Sequence, residues 1–290
     1  MACGIMPSMP EISTAERAAG FLLGLTDDDT AARVRERTRL PGPEGAAEAR
    51  KRLRSSLGWG GHRRLPVSVT LWALEQDDPQ LNALLREHGA ITDLGLRRAL
   101  ARGIPFGPGR TQPLPVSRAT AENEPEVPEA YERLGLVGAL RAAGSWGRAR
   151  GAASMVLTAE DWRTVTDADA EQPLPGYSRW ALSIRPDCPP GLRKQFGSHP
   201  KFTHRLREAG VLDGPAEYAL THRPAVEVLT LLSLGTVMFP SRLPAAEDAL
   251  RPLVRRHLGD REEAWAVLAQ LIGTFHGTAP ELIVTAGAIA

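Results

Sequence analysis

Short helical signals recur along the whole of this 290-residue chain, and most of them open on a capping side chain or a proline. Ser13 and Glu16 match the capping-box pattern, in which a hydroxyl and an acid three residues apart satisfy free backbone N–H groups at a helix start. The pattern recurs at residues 158–161. Asp78 before Pro79 gives another start, because proline at the first helical position has no N–H group to leave unpaired. The chain therefore predicts many short helices.

The composition favours the same fold class. Hydrophobic residues make up 42% of the chain, which is enough for a sizeable core, but aromatic residues make up only 5%. Leu, Ala, Val and Ile must then fill the core, which suits packed helices better than sheets. Residues 65–71 alternate weakly, as a strand would, but a helical pattern continues from them. We expect an all-α protein.

Prolines also predict how the chain is divided. Six of them fall within residues 105–128, together with two glycines and few apolar residues. Such a composition is typical of a linker or a long surface loop. We expect an N-terminal helical part at residues 1–104, this Pro-rich segment, and a C-terminal helical-repeat part at residues 129–290.

Two pairs of stretches echo each other. Trp-Ala-Leu occurs at residues 72–74 and again at 180–182, and Gly-Leu-Arg opens both residues 95–100 and residues 191–196. The interval between the two motifs is longer in the first copy by about one short helix, so the echo is not a clean period. Both tryptophans lie in helical patterns beside Ala and Leu, where packing between helices is the simpler explanation than a ligand-binding box.

The second copy resembles the leucine-rich-repeat-variant and HEAT-like repeats of bacteria. In residues 187–200 a Pro-rich turn starts a short helix, and a His-Pro pair ends it; residues 78–102 resemble the pattern more loosely. The resemblance implies an irregular α-helical repeat (HEAT/LRV-like) stack, whose usual role is to bind a partner. It carries over no catalytic residue and no cofactor, and the two cysteines of this chain do not match the iron–sulfur segment of the prototype. We therefore expect a non-enzymatic scaffold that binds a protein partner.

An Arg-rich segment supports an alternative function. Residues 31–64 hold ten arginines and lysines against three glutamates, although the whole chain has a net charge of only +1. On one face, these side chains would contact phosphates, and a tryptophan in the glycine-rich loop would stack on a base. That predicts a HEAT-like nucleic-acid-binding protein, in the manner of the alkylpurine glycosylases of that shape. The candidate binding residues are Arg50, Lys51, Arg54, Trp59, Arg63 and Arg64. A solvated helix surface in an Arg-rich chain explains the same residues.

A third possibility is an enzyme that holds Mg²⁺ at an acidic cluster, either residues 27–29 or residues 167–171. Helix caps and turns explain both clusters more simply. The chain has no Gly-x-Ser-x-Gly, no Walker loop and no His-Glu-x-x-His, and no two histidines have metal-ligand spacing. We expect no catalytic residues, no metal site and no cofactor.

The sequence shows neither a signal peptide nor a membrane-spanning segment, and this predicts where the protein is located. The first ten residues have neither the basic nor the apolar region of a signal peptide. The longest apolar stretch, residues 226–239, is too short and too polar to cross a bilayer. We expect a cytoplasmic protein that does not bind membranes.

Overall fold

The fold is all-helical, as predicted. The computed structural model describes residues 13–42, 44–58, 65–196 and 200–290. Within these ranges the chain forms nineteen helices and no strand. None of the helices in the described ranges is long and apolar enough to cross a membrane.

The helices belong to two compact units. The first unit joins the described residues up to Arg52 to Gly214–Ala290, and the second is Leu53–Asp213, so the boundary falls inside one helix. The Pro-rich segment at residues 105–128 lies within the second unit.

The first unit contains helices from both ends of the chain. They are α1 Thr14–Leu23, α2 Asp28–Thr38, the first part of α3 Ala46–Gly58, α14 Pro215–Thr221, α15 Ala225–Ser233, α16 Gly235–Met238, α17 Leu243–His257, α18 Glu262–Leu271 and α19 Ala279–Ile289. Helix α1 packs on α15, α14 on α17, and α18 on α19. Trp265, Phe239 and Leu22 are fully buried in this unit. Burying side chains of this size stabilises the fold by about 1.5–3 kcal/mol each.

Capping boxes fix two helix starts in the first unit. Ser13 N–H donates to Glu16 Oε2 over 2.6 Å, and Glu16 N–H donates to Ser13 Oγ over 3.1 Å, which confirms the predicted box at α1. The bond from Ser13 N–H, together with a hydrogen bond from the Ser13 side chain to the carboxylate, lowers the pKa of Glu16 because it favours the charged form. Thr278 and Glu281 make the same reciprocal pair at α19.

The second unit is built from the middle of the chain. After the end of α3 its helices are α4 Val67–Leu74, α5 Pro79–Glu87, α6 Leu94–Ala101, α7 Arg118–Ala121, α8 Glu129–Arg141, α9 Trp146–Ala153, α10 Ala159–Glu171, α11 Gly176–Ser183, α12 Pro190–Gln195 and α13 Pro200–Glu208. Helix α9 packs on α8 and α11, and α6 packs on α7 and α9. Gly135 has φ 68°, which interrupts α8. Alanines and leucines dominate the core, as in Leu140, Ala149 and Leu182.

The Pro-rich segment is fastened to the second unit by a buried acid. Asp77 is 5% exposed, and its carboxylate accepts hydrogen bonds from Phe106 N–H over 2.8 Å and Gly107 N–H over 3.0 Å. A Cβ atom at position 107 would lie 2.6 Å from Asp77 Oδ2, so any larger residue there would displace the Asp77 carboxylate. Further along, Leu114 N–H donates to Gly103 O over 2.7 Å.

The two echoed tryptophans have different surroundings. Trp72 is buried in α4. Trp180, on α11, is half-buried: its ring stacks on Trp146 with 3.9 Å between the centroids, and the Arg205 guanidinium lies 3.6 Å from the centroid of the Trp180 ring. Each tryptophan thus contributes packing within the second unit.

Candidate functional site

The arginines of α2 are not all available to a ligand. Arg37 forms an ion pair with Glu262 and lies 3.6 Å from Glu263. Arg33 donates to Thr30 Oγ1 over 3.2 Å. Part of the positive charge that singled out this segment is therefore used inside the first unit.

The candidate nucleic-acid-binding residues are only partly described. Arg50, Lys51 and Arg54 are exposed on α3, and Lys51 Nζ lies 3.9 Å from a Glu48 oxygen. Trp59, Arg63 and Arg64 lie outside the described residues. The predicted patch stays a prediction.

The first acidic cluster caps a helix. Asp27 is the N-cap of α2, and its carboxylate accepts a hydrogen bond from Thr30 N–H over 2.8 Å. This bond lowers the pKa of Asp27.

In the second acidic cluster, Asp169 is a structural residue. Its side chain is buried and accepts hydrogen bonds from Arg179 Nε at 2.8 Å, from Leu174 N–H at 2.8 Å and from Gln195 Nε2 at 2.9 Å. Across the described ranges, no group of three or more His, Cys, Asp or Glu is placed to hold a metal ion.

The first unit contains a cavity of about 550 Å³. Its walls come from α1, the residues before α3, the first part of α3, and α15 to α17. The lining residues are Arg17, Gly20, Phe21, Gly24, Leu25, Pro41, Gly42, Glu44, Gly45, Glu48, Arg52, Leu232, Ser233, Thr236, Leu243 and Glu247. The cavity reaches the surface, since Gly42, Gly45 and Glu48 are exposed. We call it the Arg52 cavity.

Arg52 is the charged residue held most tightly in this wall. Its side chain is 7% exposed. Nε donates to Glu44 Oε2 over 2.9 Å, and Nη2 donates to the same oxygen over 2.5 Å. Nη2 also lies 3.2 Å from Ser233 Oγ, and that hydroxyl donates to Thr230 O. These bonds fix the plane of the guanidinium.

One nitrogen of this guanidinium remains unused. Arg52 Nη1 is buried and has no hydrogen-bond acceptor among the residues that the structure describes. A buried donor without an acceptor costs about 1–3 kcal/mol, and more when it is charged. Such groups are rare in folded proteins, so each needs an explanation.

The rest of the Arg52 cavity is mixed in character. Phe21, Leu25, Leu232 and Leu243 give it apolar walls. Its charged lining residues are two arginines, at positions 17 and 52, and three glutamates, at positions 44, 48 and 247. Cavities of 300–1,000 Å³ with apolar walls and a few polar groups are typical of small-molecule sites.

In the sequence, Arg52 is one of the ten basic residues of the Arg-rich segment and is not distinguished from the exposed ones. A signal for its burial was present: Ala49 and Leu53, which precede it by three and follow it by one, are both buried in α3. Ala49 and Leu53 are four residues apart and therefore share a helix face, and Arg52, three residues after Ala49, lies beside them on that buried side. No local pattern predicts that Arg52 contacts Ser233, because the two residues are 181 positions apart in the sequence.

The only cysteine in the described part of the chain is a poor nucleophile. Cys188 is buried, and burial raises the pKa of its thiol to about 12. The thiolate is the nucleophilic form, so a thiol with this pKa is inert near neutral pH.

Comparison of the chain with known protein families, with curated proteins and with solved structures gave no match.

Proposed function

We propose that this chain is a non-enzymatic helical binding protein and that its ligand is a small molecule held in the Arg52 cavity. The observation that carries the proposal is the buried Arg52 Nη1, a charged donor that the fold orients but does not use. A ligand acceptor at this nitrogen would remove the cost of the unpaired group. A site of this kind discriminates strongly against analogues that lack the acceptor.

The lining residues suggest the chemical class of the ligand. An oxygen acceptor, such as an amide or ketone carbonyl, suits Nη1, and an apolar body suits Phe21 and Leu243. The three glutamates outnumber the two arginines, which disfavours an anion. The favoured ligand is a neutral or singly cationic molecule with one carbonyl group.

Matched pairs of small molecules test this proposal. We would screen neutral aromatic amides, such as N-benzylacetamide, against analogues in which a methylene replaces the carbonyl, by ligand-observed NMR and then calorimetry. The proposal expects the carbonyl compounds to bind at least about tenfold more tightly, as a charge-assisted hydrogen bond implies. Equal affinities for the two members of each pair would contradict it.

A second candidate function concerns the second unit. We propose that its helices are irregular HEAT/LRV-like repeats in a cytoplasmic protein and that they bind a protein partner. Both Trp-Ala-Leu copies lie on helices of this unit, α4 and α11. On α11, Tyr177 is 46% exposed, and aromatic residues are enriched at protein interfaces.

This second candidate is tested by site-specific crosslinking. A photoreactive group at position 177 should give one discrete adduct in cells, and the same group at the exposed position 163 of the same unit should not. Identical adducts from both positions would rule this partner site out.

The nucleic-acid alternative now depends on Arg50, Lys51 and Arg54, since Arg52 and Arg37 are paired with glutamates. Binding of a single-stranded oligonucleotide that weakens steeply with salt would support it. Binding insensitive to salt, or no binding, would exclude it.

A further inference from the structure

A second cavity, independent of the Arg52 cavity, lies within the second unit. It has a volume of about 460 Å³ and is lined by α5, α6 and α7 and by the residues that join α5 to α6. Its polar lining residues are Arg86, Thr92, Arg97, Thr120 and Asn123. The apolar part of the wall includes Ile91 and Leu100.

The charged residues that line this cavity are all positive. Two arginines line it, and no lining residue is an acid. Arg97 is exposed and has no ion-pair partner in the described part of the chain. The carboxylate of Glu124, which follows a lining residue in the chain, already accepts hydrogen bonds from Arg98 and Arg102, each over 2.8 Å.

Arg86 has a hydrogen-bond donor that no described residue uses. Its contact with Glu87 is long, at 3.8 Å between Nη2 and Oε1, and Glu87 is largely exposed. Its Nε is buried and has no hydrogen-bond acceptor among the described residues. An arginine binds an oxyanion through two parallel N–H donors of its planar fork, and Nε is one of the donors that such a fork uses.

We infer that this cavity binds a small molecule through an oxyanion, a phosphate or a carboxylate, held between Arg86 and Arg97. The hydroxyls of Thr92 and Thr120 and the amide of Asn123 supply further polar groups around it. Two cationic side chains with no acid in the cavity wall attract an anion, and the enclosed position of Arg86 Nε strengthens that attraction by lowering the local dielectric.

The test uses calorimetry with inorganic pyrophosphate and with citrate as separate probes on the full chain. We expect one of the two to bind, and the identity of that probe to distinguish phosphate from carboxylate. Arg97→Gln should weaken its binding by about tenfold or more, which is the effect of losing a charged hydrogen-bond donor. Because Arg97 is exposed, this variant should fold.

Two further variants complete the test. Arg163→Gln removes an exposed arginine of the same unit outside the cavity and should leave binding unchanged. Arg86→Lys keeps the charge but loses the fork, and should also weaken binding. Equal losses with Arg97→Gln and Arg163→Gln, or no binding of either probe at millimolar concentration, would overturn the inference.

Discussion

Arg52 donates to Glu44 through Nε and Nη2, and it keeps Nη1 out of that pair. The pair therefore serves two purposes at once. It neutralises a buried cation, which would otherwise be very costly, and it fixes the orientation of the remaining nitrogen of a residue that lines the cavity. The proposed binding site follows from this one arrangement.

The Arg52–Glu44 pair should be important for stability. Glu44→Gln removes the charge opposite the buried guanidinium and should lower the free energy of unfolding by about 2–3 kcal/mol. Urea denaturation measures the change. Glu48→Gln is the matched control, because Glu48 also lines the cavity but is 64% exposed, and it should change stability by less than about 0.5 kcal/mol. Equal losses from both variants would show that the pair has no special role.

Asp169 should make stability depend on acid pH. Burial raises the pKa of this carboxyl, but the hydrogen bonds from Arg179, Leu174 and Gln195 outweigh burial and lower it overall. A lowered folded-state pKa means that the stabilisation is present above the unfolded pKa of about 3.9, and is lost as pH falls through the lower folded-state value.

Asp169→Asn should therefore cost about 3 kcal/mol at pH 7, and its difference from the wild type should shrink as pH falls below about 4. Urea denaturation at several pH values measures both effects. Asp167→Asn, at an exposed position of the same helix, is the control. A deficit for Asp169→Asn that stays constant down to pH 3 would refute the assigned ionisation.

Asp77 should hold the start of the Pro-rich segment in place. Asparagine at this position tolerates the left-handed backbone, with its φ of 51°, but is a weaker acceptor. Asp77→Asn should speed amide hydrogen exchange at Phe106 and Gly107 by about tenfold, the equivalent of about 1.4 kcal/mol. Asp78→Asn should not, since asparagine caps a helix as well as aspartate. Unchanged exchange in Asp77→Asn would argue against this role.

Cys188 should be unreactive in the folded protein. With a pKa of about 12, only about one thiol in ten thousand is ionised at pH 8. In a Cys3→Ser background, a thiol reagent should modify Cys188 only after urea is added. Rapid modification without urea would show that the site opens readily.

The features that could be predicted from the sequence are those that depend on residues close together in the chain. The helix starts at Ser13 and Thr158 followed from partners three residues apart, and the structure confirms both. Contacts between distant residues gave no such signal. Asp77 meets Phe106 across 29 residues, and Arg52 meets Ser233 across 181. Which arginine is buried, and which cavity it lines, follows from packing that a local pattern does not encode.

Filling the Arg52 cavity with a larger side chain tests whether the cavity holds a ligand. Gly45 lines the cavity, and a Cβ atom there meets no atom within 4 Å. Gly144, in the other unit, has equally open surroundings and is the matched control. The measurement is the dissociation constant of a carbonyl-bearing fragment for Gly45→Leu and Gly144→Leu. We expect Gly45→Leu to weaken binding at least about tenfold, through loss of the space the ligand needs, and Gly144→Leu to leave it unchanged. Unchanged binding in Gly45→Leu would show that the fragment does not bind in the Arg52 cavity.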